Sequence, residues 1–377
     1  VFNATKSMNV ESSMANILIT APWLDENKTV SGVSTVVRTI IENNDSQHVY
    51  HHFRMGKSDG QKKNLIWFID QFLVFPKLLL VLMSRNVSIL HLNTAFEKNA
   101  LIRDYFAFII AKKILRKSVF LHIHGGYHLM QSLPRNTFLY NVTKKMLHGS
   151  DLRLVLSSIE DNRINEDYDI RCTILPNAIP SPATLESKTF ESKLKLIYLG
   201  RIVRSKGIFV LLEALAELGS DLDNFEFNIY GAGADKDEFL EKIKDIKNLN
   251  YKYWGVIKGQ DKLDVLKQSH IFLLPSLSSE GLPMALLEAM SYGCVVLVSD
   301  DASITSVVKD SYNGFLFPRG DKKALGNKLK QIFSHRSGLS EIGASANKTV
   351  DSNFNIKNYM ATLKELVDKA LVPNTLK

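Results

Sequence analysis

Short runs of β-branched and aliphatic residues alternate with longer stretches of helical periodicity along nearly the whole chain. Parallel strands cannot be joined by tight turns, so this rhythm dictates parallel sheets whose crossovers are helices. In the first half, strands are expected near Asn16–Thr20, His48–Phe53, Ser88–Leu92, Ser118–Ile123, Leu152–Leu156 and Cys172–Leu175, with helices such as Val33–Ile41 and Leu101–Leu115 between them. The rhythm stops at Ala178-Ile-Pro-Ser-Pro-Ala-Thr-Leu-Glu-Ser-Lys, where two prolines and small polar residues mark a linker or hinge. It restarts with a strand at Lys195–Leu199 and a helix at Ile208–Leu218, and later strands are expected at Phe225–Tyr230, Tyr251–Tyr253, Ile271–Leu274, Val295–Val298 and Gly314–Phe317. The expectation is α/β: two doubly wound domains, 14–177 and 194–355, facing a cleft and joined by a linker over 178–193. A flexible tail over 1–13 and a helix over 356–377, packing back toward the first domain, complete the chain.

Composition narrows the partners. Hydrophobic residues at 45% and charged residues at 23% exclude a disordered chain. Cys172 and Cys294 are too few for a disulfide framework or a cysteine-rich zinc site, which points to a reducing, cytoplasmic setting. Of the net charge of +8, residues 1–180 carry +6. That surplus suits an anionic partner, such as a membrane surface or a phosphorylated acceptor, as well as it suits a plain solvated face. Nucleic acid is not expected, because no basic helix or aromatic-basic motif is present. The most apolar stretch, Leu65 to Met83, is broken by Asp70, Pro76 and Lys77, and reads as a pair of amphipathic or buried helices rather than a bilayer span. Tyr105 to Ala111 is followed by Lys112, Lys113, Arg116 and Lys117, a cluster that fits peripheral contact with the inner face of a membrane, or an ordinary helix packed on a sheet.

Chemistry concentrates in Leu274-Pro-Ser-Leu-Ser-Ser-Glu-Gly-Leu-Pro-Met-Ala-Leu-Leu-Glu-Ala-Met. A strand ends at Leu274, a polar loop follows, and Pro283 stands where a helix begins. Gly281 lets backbone approach a ligand, and the free N–H groups of a helix start make an anion or hydroxyl site. Glu280 lies in the loop and Glu288 on the helix, leaning toward its N-terminus. Two carboxylates would repel a phosphate they touched, so they suit hydroxyls on either side of one, although Glu280 alone is also explained by the helix dipole. Leu199-Gly-Arg-Ile-Val-Arg-Ser-Lys-Gly supplies the complementary charge: Arg201 and Lys206 bracket a strand-to-helix turn, with Gly200 and Gly207 allowing close approach. Arg204 reads as a surface charge. A further turn, Tyr230-Gly-Ala-Gly-Ala-Asp, is too short for a full dinucleotide fingerprint.

Glu280 and Glu288, with seven residues between them and Gly-Leu-Pro after the first, resemble the E-x7-E signature of retaining glycosyltransferase family four. The resemblance covers nearly all of 195–320. It is looser in the first half, at Ser31-Gly32-Val33, His122-Ile-His124-Gly125 and Leu175-Pro-Asn177-Ala178. It implies the GT-B fold, two Rossmann-like domains about a cleft, and transfer of a sugar from a nucleoside diphosphate donor to a glycan or lipid-linked acceptor, as in polysaccharide synthesis. The family's roles fall residue by residue: Glu288 on the donor ribose, Glu280 on the donor sugar with the backbone of Gly281 and Leu282, and Arg201 and Lys206 on the diphosphate. Gly32 would close over the phosphates and His124 would lie beside the reacting sugar. Pro283 and Met284 complete the donor loop, with Gly231 and Gly233 in the neighbouring turn. His122 is expected on the opposite side of its strand, in a structural role. No metal or other cofactor is implied. The alternatives are a metal-dependent transferase, for which Asp167-Tyr168-Asp169 is formally a D-x-D, and an inactive nucleotide-sugar-binding partner subunit.

Overall fold

The computed structural model describes residues 14–29, 31–56, 65–182 and 187–371. The expected tail, residues 183–186 of the linker and residues 372–377 lie outside them. The first sheet comprises β1 (Asn16–Ala21), β2 (Val49–Arg54), β3 (Ile89–Thr94), β4 (Ser118–Ile123), β5 (Leu152–Val155) and β6 (Thr173–Ile174), in the order β2-β1-β3-β4-β5-β6. The second comprises β7 (Leu194–Leu199), β8 (Phe225–Tyr230), β9 (Tyr251–Gly255), β10 (Ile271–Leu274), β11 (Val295–Ser299) and β12 (Phe315–Phe317), in the order β12-β11-β10-β7-β8-β9. Neighbouring strands in both sheets run parallel. In each sheet the strand order reverses beside the first strand, which opens a crevice at the carboxyl ends. In the second sheet that crevice lies between the loops after β7 and β10, the two segments the sequence singles out.

The domains share a core. Ile19, Val37 and Ile40 from the first cluster with Leu287, Met290 and Val298 from the second, and with Tyr359 and Leu363 of the helix Ile356–Leu371. That last helix lies on the first sheet, where Val367 packs with Ile17, Ile89 and Phe120, and Asp368 meets the ring of buried His48 at 2.9 Å. The chain crosses between domains twice, and the crossings are tied together: Ile179 N–H donates to Phe354 O at 2.9 Å, and Ile356 N–H to Ile179 O at 3.0 Å.

Three local expectations need correction. Leu65–Ser84 is one helix that continues through Pro76, not a pair. Pro76 and Phe72 both lie on its exposed side, so the carbonyl at 72 that loses its N–H partner faces water. The helix expected over Leu101–Leu115 is α-helical over Lys98–Phe108 and then widens to a π-helical turn over Ile109–Ile114. His122 shares a face with His124, their ring centroids 4.2 Å apart, because residues two apart on a strand point the same way.

His122 also stacks on His91 of β3, with His91 Nε2 3.2 Å from His122 Nδ1. Burial pushes His91 down to about 4 and holds His122 well below the usual imidazole range. The unfolded rings take up protons below about 6.5, whereas the folded pair stays neutral, so stability is complete above that pH and drains away as pH falls. Between pH 6.5 and about 5 the loss is expected to be about 2 kcal/mol for each of the two histidines. Urea midpoints measured across that range should fall with acid, and less steeply in a His122→Asn variant; parallel slopes would disprove the assignment.

Candidate active site

The loop between β10 and the helix Met284–Ser291 is anchored by the turn after β7. Gly207, at φ +69°, lies so close to Pro275 that a Cβ would stand 1.7 Å from its carbonyl oxygen, which only glycine permits. Leu277 N–H and Ser278 N–H both donate to Ser205 O, at 2.8 and 3.1 Å. This packing brings Lys206 to Glu280: the ammonium and the Ser276 hydroxyl both donate to Glu280 Oε1. The Glu280 N–H donates to Asp301 Oδ2, and the other Asp301 oxygen accepts from Arg319 at 2.7 Å. Arg201 stands exposed nearby, its carbonyl accepting from Tyr198 OH at 2.6 Å and its guanidinium unpaired among the described residues. Arg204 turns away to Glu238 and the ring of Phe209.

Glu288, one turn into the helix, is 8% exposed. Burial pushes its carboxyl up, and Lys262 of the helix Gly259–Gln268 opposes that, donating at 2.6 Å. Buried carboxylates need such a partner. The first domain closes the far side: Glu26 accepts from Gly259 N–H at 3.0 Å and from Arg38. A cavity of about 500 Å³ remains between the domains, lined by Glu26, Arg38, Lys262, Met284, Glu288 and Tyr292. That is large enough for a ligand of nucleotide size.

The two domains touch at the Glu280 loop. Gly125, at φ +73°, abuts Gly281 so closely that a Cβ would stand 2.7 Å from its Cα and N. Asn177 Nδ2 donates to Leu282 O at 2.7 Å from the same side. His124 Nε2 is 2.7 Å from Asn93 Oδ1, and the Asn93 amide is oriented by donating to Thr20 O at 2.9 Å. An oxygen facing the ring places the imidazole proton on Nε2 and leaves Nδ1 as an acceptor. Burial pushes His124 down to about 3, so it is a neutral acceptor at ordinary pH and not an acid.

The remaining expected residues are placed as follows. Gly32 begins the helix Gly32–Glu42 in open space, with no steric need for glycine. Gly231 and Gly233 serve turn packing, since their Cβ atoms would stand 1.8 and 2.0 Å from the carbonyl oxygens of Gly200 and Ile202. Leu282 is buried, Pro283 caps the helix and Met284 starts it. Lys112 pairs with Asp151 at 2.6 Å, whereas Lys113 and Arg116 are exposed and Lys117 is half-buried. Asp167 accepts from Ser132 and Asp169 ends a helix in the left-handed conformation. No group of three or more potential metal ligands occurs among the described residues. Sequence reasoning missed Lys262, Asn93 and Asp301, which come from distant segments. It also missed Glu160, although Ser157-Ser-Ile-Glu160 has the capping-box spacing. Burial pushes Glu160 up to about 7, and it accepts from Ser303 of the second domain at 3.1 Å.

Residues 184–349 match the family described as Glycosyl transferases group 1. An uncharacterised glycosyltransferase of Methanocaldococcus jannaschii is 22% identical over 73% of this chain and 74% of its own. The amylovoran biosynthesis glycosyltransferase AmsK of Erwinia amylovora is 28% identical over 47% of this chain and 45% of its own, so the match spans under half of that relative. Anabaena HepE, solved with UDP and glucose, superposes with a TM-score of 0.73 at 14% identity, covering 94% of this chain and all of HepE. The chain has the GT-B fold, and its residues 184–349 match the model of glycosyl transferases group 1.

Proposed function

We propose that the chain is a retaining, metal-independent glycosyltransferase that moves a sugar from a nucleoside diphosphate sugar to a glycan or lipid-linked acceptor in polysaccharide assembly. The observation that carries this reading is the Lys206–Glu280 pair beside exposed Arg201, facing His124 and Gly125 across the cleft. AmsK, named for amylovoran biosynthesis, and HepE, solved with UDP and glucose, support the pathway and the donor class.

Breaking the bond from anomeric carbon to phosphate oxygen builds negative charge on the diphosphate and positive charge on the sugar. Arg201 and the two Lys206 N–H bonds not given to Glu280 stabilise the first. The N–H groups of Gly281 and Leu282, which meet no protein acceptor among the described residues, add donors. Glu280 and the Nδ1 lone pair of His124 accept hydroxyls of the sugar, and Glu288 accepts those of the ribose. The acceptor oxygen attacks the face the phosphate leaves, and its proton passes to the departing phosphate oxygen, which retains the anomeric configuration without a protein nucleophile.

A thermal-shift panel of nucleoside diphosphates and their sugars, run in EDTA, tests the reading. At a hundredfold excess over Kd the true donor should stabilise by about 2.7 kcal/mol. Stabilisation by none of them would sink the donor class, and stabilisation only after manganese is added would sink metal independence. Lys206→Ala should lower kcat by roughly 10²–10³, the scale of one lost charge-stabilising donor, and near-normal turnover would remove Lys206 from the mechanism. Lys262→Met takes the cation from Glu288, so its carboxyl protonates at higher pH. The donor KM of that variant should climb more steeply than the parent's as pH falls from about 8 to about 5; superimposable profiles would detach Glu288 from donor binding.

A further inference from the structure

We propose that the helix Leu65–Ser84, together with Phe106 and Ile114 beside it, is a docking face for an anionic lipid bilayer. This goes beyond the transfer reaction and does not rest on it. Seven of the sixteen exposed large hydrophobics among the described residues lie on this helix and its two neighbours: Ile69, Phe72, Leu73, Leu80, Met83, Phe106 and Ile114. Ile69, Leu73, Pro76, Leu80 and Met83 recur every three or four residues, so they form one stripe along the helix. Val74, Leu78 and Leu82 form a second stripe, buried in the first domain's core. Both stripes are apolar, yet among the described residues only one of them is covered by protein. Phe72, at 76% exposure, projects furthest.

The patch continues across neighbouring elements. The ring of Phe75 is 5.5 Å from Phe106 on the helix Lys98–Phe108, and Ile114 ends the π-helical turn that follows. Apolar area on this scale marks an interaction surface.

Charge decides what covers it. Residues 65–117 hold eight basic and three acidic side chains, a net +5. Each acid is already engaged: Asp70 with Arg54, Asp104 with Arg103, and Glu97 with the Tyr127 N–H. Lys77, Lys113 and Arg116 are exposed and unpaired among the described residues. A second copy docked face to face would set this excess against itself, whereas an anionic bilayer complements both the apolar stripe and its basic fringe. With its other stripe packed in the core, the helix lies along the interface and does not cross it. Arg54, at the carboxyl end of β2, bonds Asp70 at 2.7 Å and stacks over Trp23 in the loop after β1. The start of the stripe therefore sits on the rim of the cleft, where a lipid-borne acceptor would enter.

Co-sedimentation with vesicles of phosphatidylcholine, with and without phosphatidylglycerol, tests the proposal. The full chain should bind the anionic vesicles at low salt and release as salt rises. Phe72→Glu/Leu80→Glu should lower that binding at least about tenfold, while melting temperature and nucleotide-induced stabilisation stay as in the parent. Lys113→Ala/Arg116→Ala should lower it by roughly twenty-five-fold, at about fivefold for each basic residue. Equal binding to neutral and anionic vesicles, undiminished binding by Phe72→Glu/Leu80→Glu, or no binding by the parent would each overturn the docking face. So would a parent dimer, by light scattering, that the same variant splits without any vesicle binding, because the occupant would then be a second copy. Nucleotide-induced stabilisation that survives such a failure leaves the transfer reaction standing.

Discussion

Two glycines touching across the cleft set the geometry of everything around them. Gly125 and Gly281 lie 156 positions apart; Gly281 occupies the space a side chain at 125 would need, and His124 O and Leu156 occupy the space a side chain at 281 would need. The loop that carries Glu280 is consequently built by both domains. Its upstream half is pinned to Ser205 and Asp301 within the second domain, while Gly281 and Leu282 are held by Gly125 and Asn177 of the first. Any change in the angle between domains moves His124 relative to Glu280, so closure and assembly of the site are one event.

Within that frame Glu280 of the loop and Glu288 of the helix Met284–Ser291 are handled alike. Each is taken out of water and each receives one lysine from a neighbouring element: Lys206 for Glu280 and Lys262 for Glu288. At Glu288 the lysine opposes the upward push that burial gives the carboxyl. Pairing also leaves the site close to electrically balanced before a ligand arrives. A diphosphate then meets one unpaired guanidinium, Arg201, and a lysine with donors to spare. The neutral histidine opposite adds no charge, which suits a position beside a sugar that becomes cationic as its bond to phosphate breaks.

Period and spacing were legible in the sequence because both are local. The alternation of short and long runs foretold two parallel sheets, the proline-rich break foretold the crossover, and Pro283 between Glu280 and Glu288 put the first in a loop and the second on the helix that follows. Partnerships across the fold were not legible. Lys262 lies 26 residues before Glu288, and Asn93 lies 31 before His124, with nothing in either segment to announce the contact. Gly231 and Gly233 look like ligand turns in sequence, yet their bareness is already required by the adjacent turn. Leu65–Ser84 is apolar on both sides, so its periodicity identified neither the stripe that packs inward nor the single helix that survives Pro76.

The paired crossings suggest how the molecule opens. Ile179 exchanges two backbone hydrogen bonds with the segment at 354–356, so the chain passes between domains as a short two-strand ribbon. A ribbon bends more readily than it shears, because shear would break both hydrogen bonds together. Opening must release part of the apolar core the domains share, together with the Gly125–Gly281 abutment, the Asn177–Leu282 and Glu160–Ser303 hydrogen bonds, and the reach of Glu26 to Gly259. The hydrogen bonds among these are each worth about 0.5–1.5 kcal/mol net, although bonds to charged groups are worth more. Glu160 is the exception in character, since a carboxyl pushed up to about 7 changes its charge near neutrality. Burial is what raises it, and the hydrogen bond from Ser303 of the second domain is one of those that oppose the rise, so the charge of Glu160 is tied to contact between the domains.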